Sequence, residues 1–474
     1  MVMTEATTVP PGSAPPAERS SGPHGGRVLA LLLLGHFMAI LDVNIVNVAL
    51  PTLRADLGAS GSGLQLVVAG YVIAFAVLLI TGARLGRLHG HRRAFHAGLA
   101  VFTLASLACG LAPGTWWLVA FRFLQGAGAA LMSPQVMSLL QRTFTGAARG
   151  RALGLYAAVT SGGVVAGQIA GGLLVSADLF GAGWRTVFLV NVPIGALLLA
   201  AGPRVLPRDE GSRDGGLDLP GLLVLTPAVL LFAVPLILGH DLGWPAWGWV
   251  SLAAAAVLLP AFVAVERGVA ARGGRPLISG RVLRAPGLPL ALAVLVFGPG
   301  SWGSFLFTTT LHLQGDLELT PLQSGLAFVP CVATFALVGL TWSRLPERWH
   351  GWTIAAGFLL AAAGYAVLGP LAGGGVPYEV LTGVIGLGLG VLPIVMTAAL
   401  RHVPADAAAD ASGLLLTMMQ LGQVVGIATI GTLFLTLARD GGSTRHAEYA
   451  TGWALAASAL IAAVPALALA RRTR

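Results

Sequence analysis

The chain has 474 residues, of which 56% are hydrophobic and only 10% charged, with mean hydropathy +0.82 and a formal net charge of +9. A soluble domain carries roughly 25% charged residues, so this composition excludes a water-facing surface of ordinary size and points to a chain that mostly faces lipid. All 28 basic residues are arginine, and with the heavy Ala, Gly, Leu and Val usage this suggests a GC-rich bacterial genome.

In chain order, residues 1–26 are rich in Pro, Ser, Gly and Ala and read as a disordered tail. The first apolar run, 28–50, is too long for a signal-peptide core and reads as a retained helix. A spanning helix needs about 20 apolar residues. By that measure thirteen more spans follow: 64–83, 94–112, 115–138, 152–175, 184–203, 220–239, 247–266, 286–310, 322–342, 352–372, 377–400, 411–437 and 450–470. Fourteen is even, so both ends share one side. Of the arginines, 23 fall on that side, 4 on the other, and Arg122 lies within a span. The positive-inside rule then makes both termini cytoplasmic. It also explains the net charge by headgroup contact, without nucleic acid. Cys109 and Cys331 lie in apolar runs and form no metal or disulfide pattern.

An internal repeat organises the spans. GAGAALMSPQVMSLLQRTF from Gly126 resembles GLGLGVLPIVMTAALRHVP from Gly386. Pro134, Met137, Arg142, Gly154, Gly163, Gly167 and Gly172 match Pro393, Met396, Arg401, Gly413, Gly422, Gly426 and Gly431 at an offset of 259. Span 4 therefore maps onto span 12 and span 5 onto span 13, in the same orientation. Two six-helix halves with spans 7 and 8 inserted give that arrangement: an N-terminal bundle over 27–205, the inserted pair over 206–275, and a C-terminal bundle over 276–474. Parallel halves of this kind are a transporter architecture, with the substrate held between them near mid-bilayer.

Two charges sit well inside these spans, Asp42 and Arg122. Asp42 is eight residues from the outer end of span 1, about 12 Å, and Arg122 seven from that of span 4, about 10 Å. Each alone would cost roughly 2.5–3.5 kcal/mol at a helix centre, so equal depth makes them natural partners. Either they form a proton-exchanging pair or a static structural one. His36, six residues from Asp42, points off its face. In span 5, Gly163, Gly167 and Gly171 recur every fourth residue, with Gly422 and Gly426 at the matching place in span 13. Such stripes let backbones approach closely, either as an interface between halves that slides or as ordinary tight packing. Candidate substrate contacts are the polar or flexible side chains of otherwise apolar helices: Asn44, Asn47, Gln125, Gln135, His312, Gln314, Met418, Met419, Gln420 and Gln423.

These residues carry a family resemblance. LDVNIVNVALPTL at 41–53, RFLQGAGAA at 122–130, GWRTVFLVNVPIG at 183–195, TPLQSGLAFVP at 320–330 and the run from Pro404 through SGLLLTMMQLGQVVG resemble motifs of the major facilitator superfamily, specifically its fourteen-span drug/proton antiporter branch. The resemblance implies an all-α membrane fold and a monomeric transporter in the bacterial inner membrane. It implies export of lipophilic drugs or antibiotics against inward proton flow, with Asp42 and Arg122 carrying the coupling. It implies no cofactor or metal and no enzymatic activity. The segment GARLGRLHGHRR from Gly82, with Arg84, Arg87, Gly90 and Arg92, resembles the family's cytoplasmic latch, but Arg87 stands where the family usually has Asp. Asp406 or Asp410 could supply the missing acid. Gln168 stands where the antiporter motif has proline, which removes an expected kink. Both departures keep a second expectation open, a facilitator or uptake carrier without proton coupling. No metal cluster, phosphate-binding glycine loop or nucleophile elbow argues for an enzyme.

Overall fold

The computed structural model describes residues 23–211, 218–239, 242–274, 276–277, 280–401, 403, 408–441 and 443–472. Most of the tail expected at 1–26, together with Asp406 and the side chain of Asp410, lies outside what is described. The described chain is helical throughout, with no strand.

The helices are α1 (Pro23–Leu57), α2 (Gly61–His89), α3 (His91–Gly110), α4 (Thr115–Thr143), α5 (Gly146–Ala177), α6 (Gly183–Val205), α7 (Leu219–Leu238) and α8 (Ala246–Ala271). They continue with α9 (Leu288–Gln314), α10 (Pro321–Thr341), α11 (Glu347–Ala366), α12 (Val376–Leu400), α13 (Ala411–Arg439) and α14 (Thr444–Arg472). Among the described residues, twelve of these are long and apolar enough to cross a membrane. The expected count of fourteen is not reached on that measure. The two helices that fall short, α4 and α11, have lower hydropathy for different reasons. α4 carries Arg122, Gln125 and Gln135, all turned inward and fully buried, and α11 opens on Arg348 and His350.

Two faces follow from the packing. The C-terminal end of α9 meets α1 near its own C-terminal end, where Gln314 Nε2 donates to the Val48 carbonyl at 2.9 Å. At the opposite end of α9, Gly287 lies against Leu469. The start of α1 and the end of α14 therefore share one face, here the terminal face; the other is the distal face. At about 1.5 Å per residue, the 35-residue α1 is longer than a bilayer core. Its distal extension is tied down by Asp56, which accepts from Trp184 Nε1 at 2.8 Å and from Arg185 at 2.7 Å.

The buried apolar side chains form two clusters. One gathers α1–α8 with a few residues of α9, α13 and α14; the other runs from Val282 to Leu469. Helices α7 and α8 pack on each other, and α7 packs against α2. Hydrogen bonds between the two bundles gather in the distal half. Gln65 Nε2 donates to Ile427 O at 3.0 Å and to Thr432 Oγ1 at 3.2 Å, and Leu322 N donates to Ser176 Oγ at 3.2 Å. Thr417 Oγ1 donates to Ala76 O at 3.2 Å, nearer mid-depth.

The glycine stripes need a correction. Gly163, Gly167 and Gly171 of α5 face Ile40, Asn44 and Ile45 of α1, within the N-terminal bundle. Gly422 and Gly426 of α13 face Val296 and Gly300 of α9, within the C-terminal bundle. The stripes are therefore matching close contacts inside each bundle, not the surface between bundles. Their spacing announced a close approach but could not say which helix approaches. What meets the other bundle is the neighbouring edge of α5: a Cβ on Gly172 would run into Pro321 and Leu322, and one on Gly325 into the Gln168 backbone. α5 runs unbroken through Gln168.

Candidate functional site: a buried acid network

Asp42 and Arg122 meet, and both are fully buried. Arg122 Nη1 donates to Asp42 Oδ2 at 2.5 Å. The same nitrogen donates to Gln125 Oε1 at 2.6 Å, and Arg122 Nε donates to the Val67 carbonyl at 2.9 Å. Gln125 Nε2 donates back to Asp42 Oδ1 at 2.8 Å and to Ser106 Oγ at 2.8 Å. A further donor, Asn191 Nδ2, reaches Asp42 Oδ1 at 2.8 Å. The guanidinium lies over the Tyr71 ring, 4.5 Å from its centroid, where the negative ring face attracts a cation.

Five helices supply this network: α1, α2, α3, α4 and α6. Arg122 and Gln125 sit one turn apart on α4, so both reach Asp42 from one face. Both carboxylate oxygens are satisfied, which a dry buried charge requires. The arrangement is self-contained within the N-terminal bundle. Protonating Asp42 would leave Arg122 buried without its counter-charge, so the proton and the geometry of the network are linked.

Asn191 did not stand out in the sequence, although GWRTVFLVNVPIG contains it. Its signal was depth: it is eight residues into α6 from Gly183, about 12 Å, the same level as Asp42.

The other predicted residues fall in several places. Gln125 belongs to the acid network. Asn44 and Asn47 turn back onto the carbonyls of Ile40 and Val43 in α1, at 2.8 and 3.4 Å. Gln135 joins α2, α3 and α4, donating to Gly82 O at 2.8 Å and pairing with His91 Nδ1 at 2.7 Å. His312 is held in the C-terminal bundle by Ala372 O and Thr444 Oγ1, and Gln314 bridges the bundles at the distal face. On α13, Gln420 is buried, Met418 and Met419 are half-buried, and Gln423 packs against Gly303. His36 faces α5, bonding Thr160 Oγ1 at 2.8 Å and stacking on Tyr156. Gln168 is 1% exposed, and neither amide atom has a hydrogen-bond partner among the described residues.

At the terminal face, Arg87 is exposed. The acid beside this segment is Asp209, from the strand of chain after α6. Its carboxylate accepts from the backbone N of His91 at 2.5 Å and of Arg92 at 3.0 Å. It thus caps α3, where negative charge meets the helix N-terminus. Gly90 has φ 95°, and a Cβ there would press on the Asp209 carbonyl. Arg92 also donates to Pro203 O at 2.7 Å, and Arg84 donates to Pro276 O, ahead of the first helix of the C-terminal bundle, α9.

One correction concerns charge. Asp42 and Arg122 were the only deep charges expected, yet Glu448 is fully buried. The last span was expected to begin at 450, whereas α14 begins at Thr444 and carries the acid inside.

The Major Facilitator Superfamily model matches residues 32–427. The chain belongs to the major facilitator superfamily. This superfamily transporter is 38% identical over 454 residues to a probable actinorhodin transporter of Streptomyces coelicolor, covering 91% of this chain and 78% of that one. It is 36% identical to the cephamycin export protein CmcT of Amycolatopsis lactamdurans, covering 93% and 92%, and 36% identical to the puromycin resistance protein pur8 of Streptomyces alboniger, covering 85% and 81%. Among solved structures, a bacterial homolog of the lysosomal transporter Spinster matches with TM-score 0.68 at 17% identity, covering 95% of this chain and 98% of that one, a likeness of fold. The chain is a multi-pass membrane transporter.

Proposed function

We propose that this transporter exports lipophilic small molecules of the antibiotic class, exchanging them for protons by alternating access. The export reading is supported by relatives named for antibiotic export and resistance. The proton reading is carried by one observation: a fully buried carboxylate, Asp42, whose only counter-charge within ion-pair distance among the described residues is the equally buried Arg122. Loss of the charge on Asp42 leaves Arg122 unbalanced in a dry site, so protonation drives the network toward another packing. Because Arg122, Asn191 and Asp42 come from different helices, that repacking moves helices against one another. The two bundles then rock about the distal seal formed by Gln314, Gln65 and Leu322.

In this reading α4 and α11 complete fourteen spans, arranged as six, two and six. Both termini are cytoplasmic in a bacterial inner membrane, so the terminal face is the cytoplasmic one, and the protein works as a monomer. Arg84, Gly90 and Arg92 hold the terminal-face contacts that change on rocking. Gln168, buried and without a hydrogen-bond partner among the described residues at the edge between bundles, suits contact with a polar group of the cargo.

The test uses proteoliposomes with an imposed pH gradient and puromycin as the probe, with actinorhodin and cephamycin alongside. Gradient-dependent movement of at least one compound supports the reading. Equal movement with and without the gradient would instead favour a facilitator.

A further inference from the structure

The C-terminal bundle holds an acid that the proposal above does not use. Glu448 is four residues into α14 and fully buried. Its Oε1 accepts from Thr309 Oγ1 on α9 and from Tyr378 Oη on α12, both at 3.1 Å. Its Oε2 has no hydrogen-bond partner, and no cation among the described residues lies within ion-pair distance.

Few titratable groups face Glu448. From α9, the facing titratable group is His312. Its Nε2 meets the Ala372 carbonyl at 2.8 Å, which only accepts, so Nε2 carries a hydrogen. Its Nδ1 meets Thr444 Oγ1 at 2.9 Å. That hydroxyl also accepts from the Asp316 backbone N, and the Thr444 side chain hydrogen-bonds the Asp316 carboxyl. From α12 comes Tyr378, and from α11 Tyr365, whose carbonyl packs at Gly452 of α14. On α14 itself, Arg445 and His446 are exposed. Among the described residues, none of these groups lies within ion-pair distance of the Glu448 carboxyl.

We propose that Glu448 is a proton-exchanging carboxyl: it holds a proton on Oε2 while the distal face is sealed and exchanges it with water when that seal opens. The site suits both states on one oxygen and neither on the other. Thr309 and Tyr378 donate to Oε1 whether or not the group is charged. A bare Oε2 would be an unpaired dry charge, while a protonated Oε2 leaves one O–H without an acceptor. Water admitted from the distal face completes the site: the Oε2–H bond breaks, the proton passes to water, and water hydrogen-bonds the carboxylate. The route is short, because Glu448 lies about 6 Å from the distal end of α14, beneath the His312–Thr444–Asp316 contacts. The proposal rests on the alternating-access reading but not on Asp42 carrying a proton.

Infrared spectroscopy of the full chain in liposomes tests it without any substrate. The wild type should show the carbonyl stretch of a protonated carboxylic acid at neutral pH, and transfer to D₂O should shift that band as the distal face opens. Glu448→Gln should lose the band, Asp42→Asn should keep it, and Tyr378→Phe should move its frequency without removing it. Retention of the same band in Glu448→Gln, or its absence from the wild type, would overturn the assignment. A band that never shifts in D₂O would overturn the exchange and leave a static acid. If proton coupling at Asp42 failed instead, the Glu448 band and its D₂O shift would be unchanged, so the two failures are separable.

Discussion

The two bundles place an acid among the same three helices and treat it in opposite ways. In the N-terminal bundle the first, fourth and sixth helices bring Asp42, Arg122 and Asn191 together, and the acid is balanced by a cation. In the C-terminal bundle the corresponding helices bring Thr309, Tyr378 and Glu448 together, and among the described residues the acid has only hydroxyl donors. Glu448 and Asn191 lie 257 residues apart (448 − 191), two short of the repeat offset. The acid has thus moved from the first helix of one bundle to the sixth of the other. Helices of matching order in the two bundles thus carry different charges. An ion pair binds its helices through charge; a lone carboxyl binds them only through hydrogen bonds, which are weaker.

The sharpest way to break that contrast is to remove the cation. Arg122→Ala leaves a buried carboxylate without its partner and should cost about 3–5 kcal/mol. Purified protein in detergent should melt markedly earlier, and the Asp42→Asn/Arg122→Gln pair should recover most of the loss. Equal losses in the single and double variants would mean the charges do not hold the bundle.

A second pair of variants compares one donor from each cluster. Asn191→Leu takes a hydrogen bond from a charged acceptor and should cost about 1.5–3 kcal/mol. Tyr378→Phe takes one from Glu448 and should cost about 0.5–1.5 kcal/mol if that carboxyl is neutral. A larger loss at Tyr378 than at Asn191, in the same melting assay, would reverse the assignment of charge between the bundles.

Much of this was legible in sequence. The repeat, the helical class and the depth-matched Asp42–Arg122 pair follow from hydropathy, offset and rise per residue. Asn191 was legible by the same depth argument but is uncharged, so it drew no notice among apolar neighbours. Glu448 was hidden by a boundary: hydropathy falls over Thr444, Arg445 and His446, so the span was started at 450, yet the helix itself begins earlier. The partners of the glycine stripes were not legible at all, since spacing on one helix does not name the helix that meets it. Nor was the acid at the terminal face. Asp209 is over 115 residues from the backbone it caps, and no local pattern links them.

That cap gives a smaller effect. Asp209→Ala should cost about 0.5–2 kcal/mol through loss of the α3 N-cap, read as faster amide hydrogen exchange at residues 90–95 with α4 unchanged. Slower or unaltered exchange there would show that the segment after α6 does not hold α3.

The smallest effect concerns the distal loop. Partial burial raises the Asp316 carboxyl, but hydrogen bonds from Ser443 and from the backbone of Arg445 and Thr444 outweigh it and hold it down at about 2. The folded value lies below the ordinary carboxylate range. The tie is therefore fully present above that range and is lost as pH falls through about 2. Asp316→Asn should loosen the start of α14 at neutral pH, seen as local hydrogen exchange at residues 443–447, and should flatten the acid response there. An unchanged acid response would assign it to another group.

The most direct measurement of the central claim is Asp42→Asn in proteoliposomes, with movement of a compound that the wild type carries followed in two modes. Asparagine keeps the shape and one acceptor but carries no charge and cannot exchange a proton. Movement driven by a pH gradient should fall to the level of empty liposomes, while exchange of the labelled for the unlabelled compound across equal pH persists. Full gradient-driven movement by the Asp42→Asn protein would contradict it.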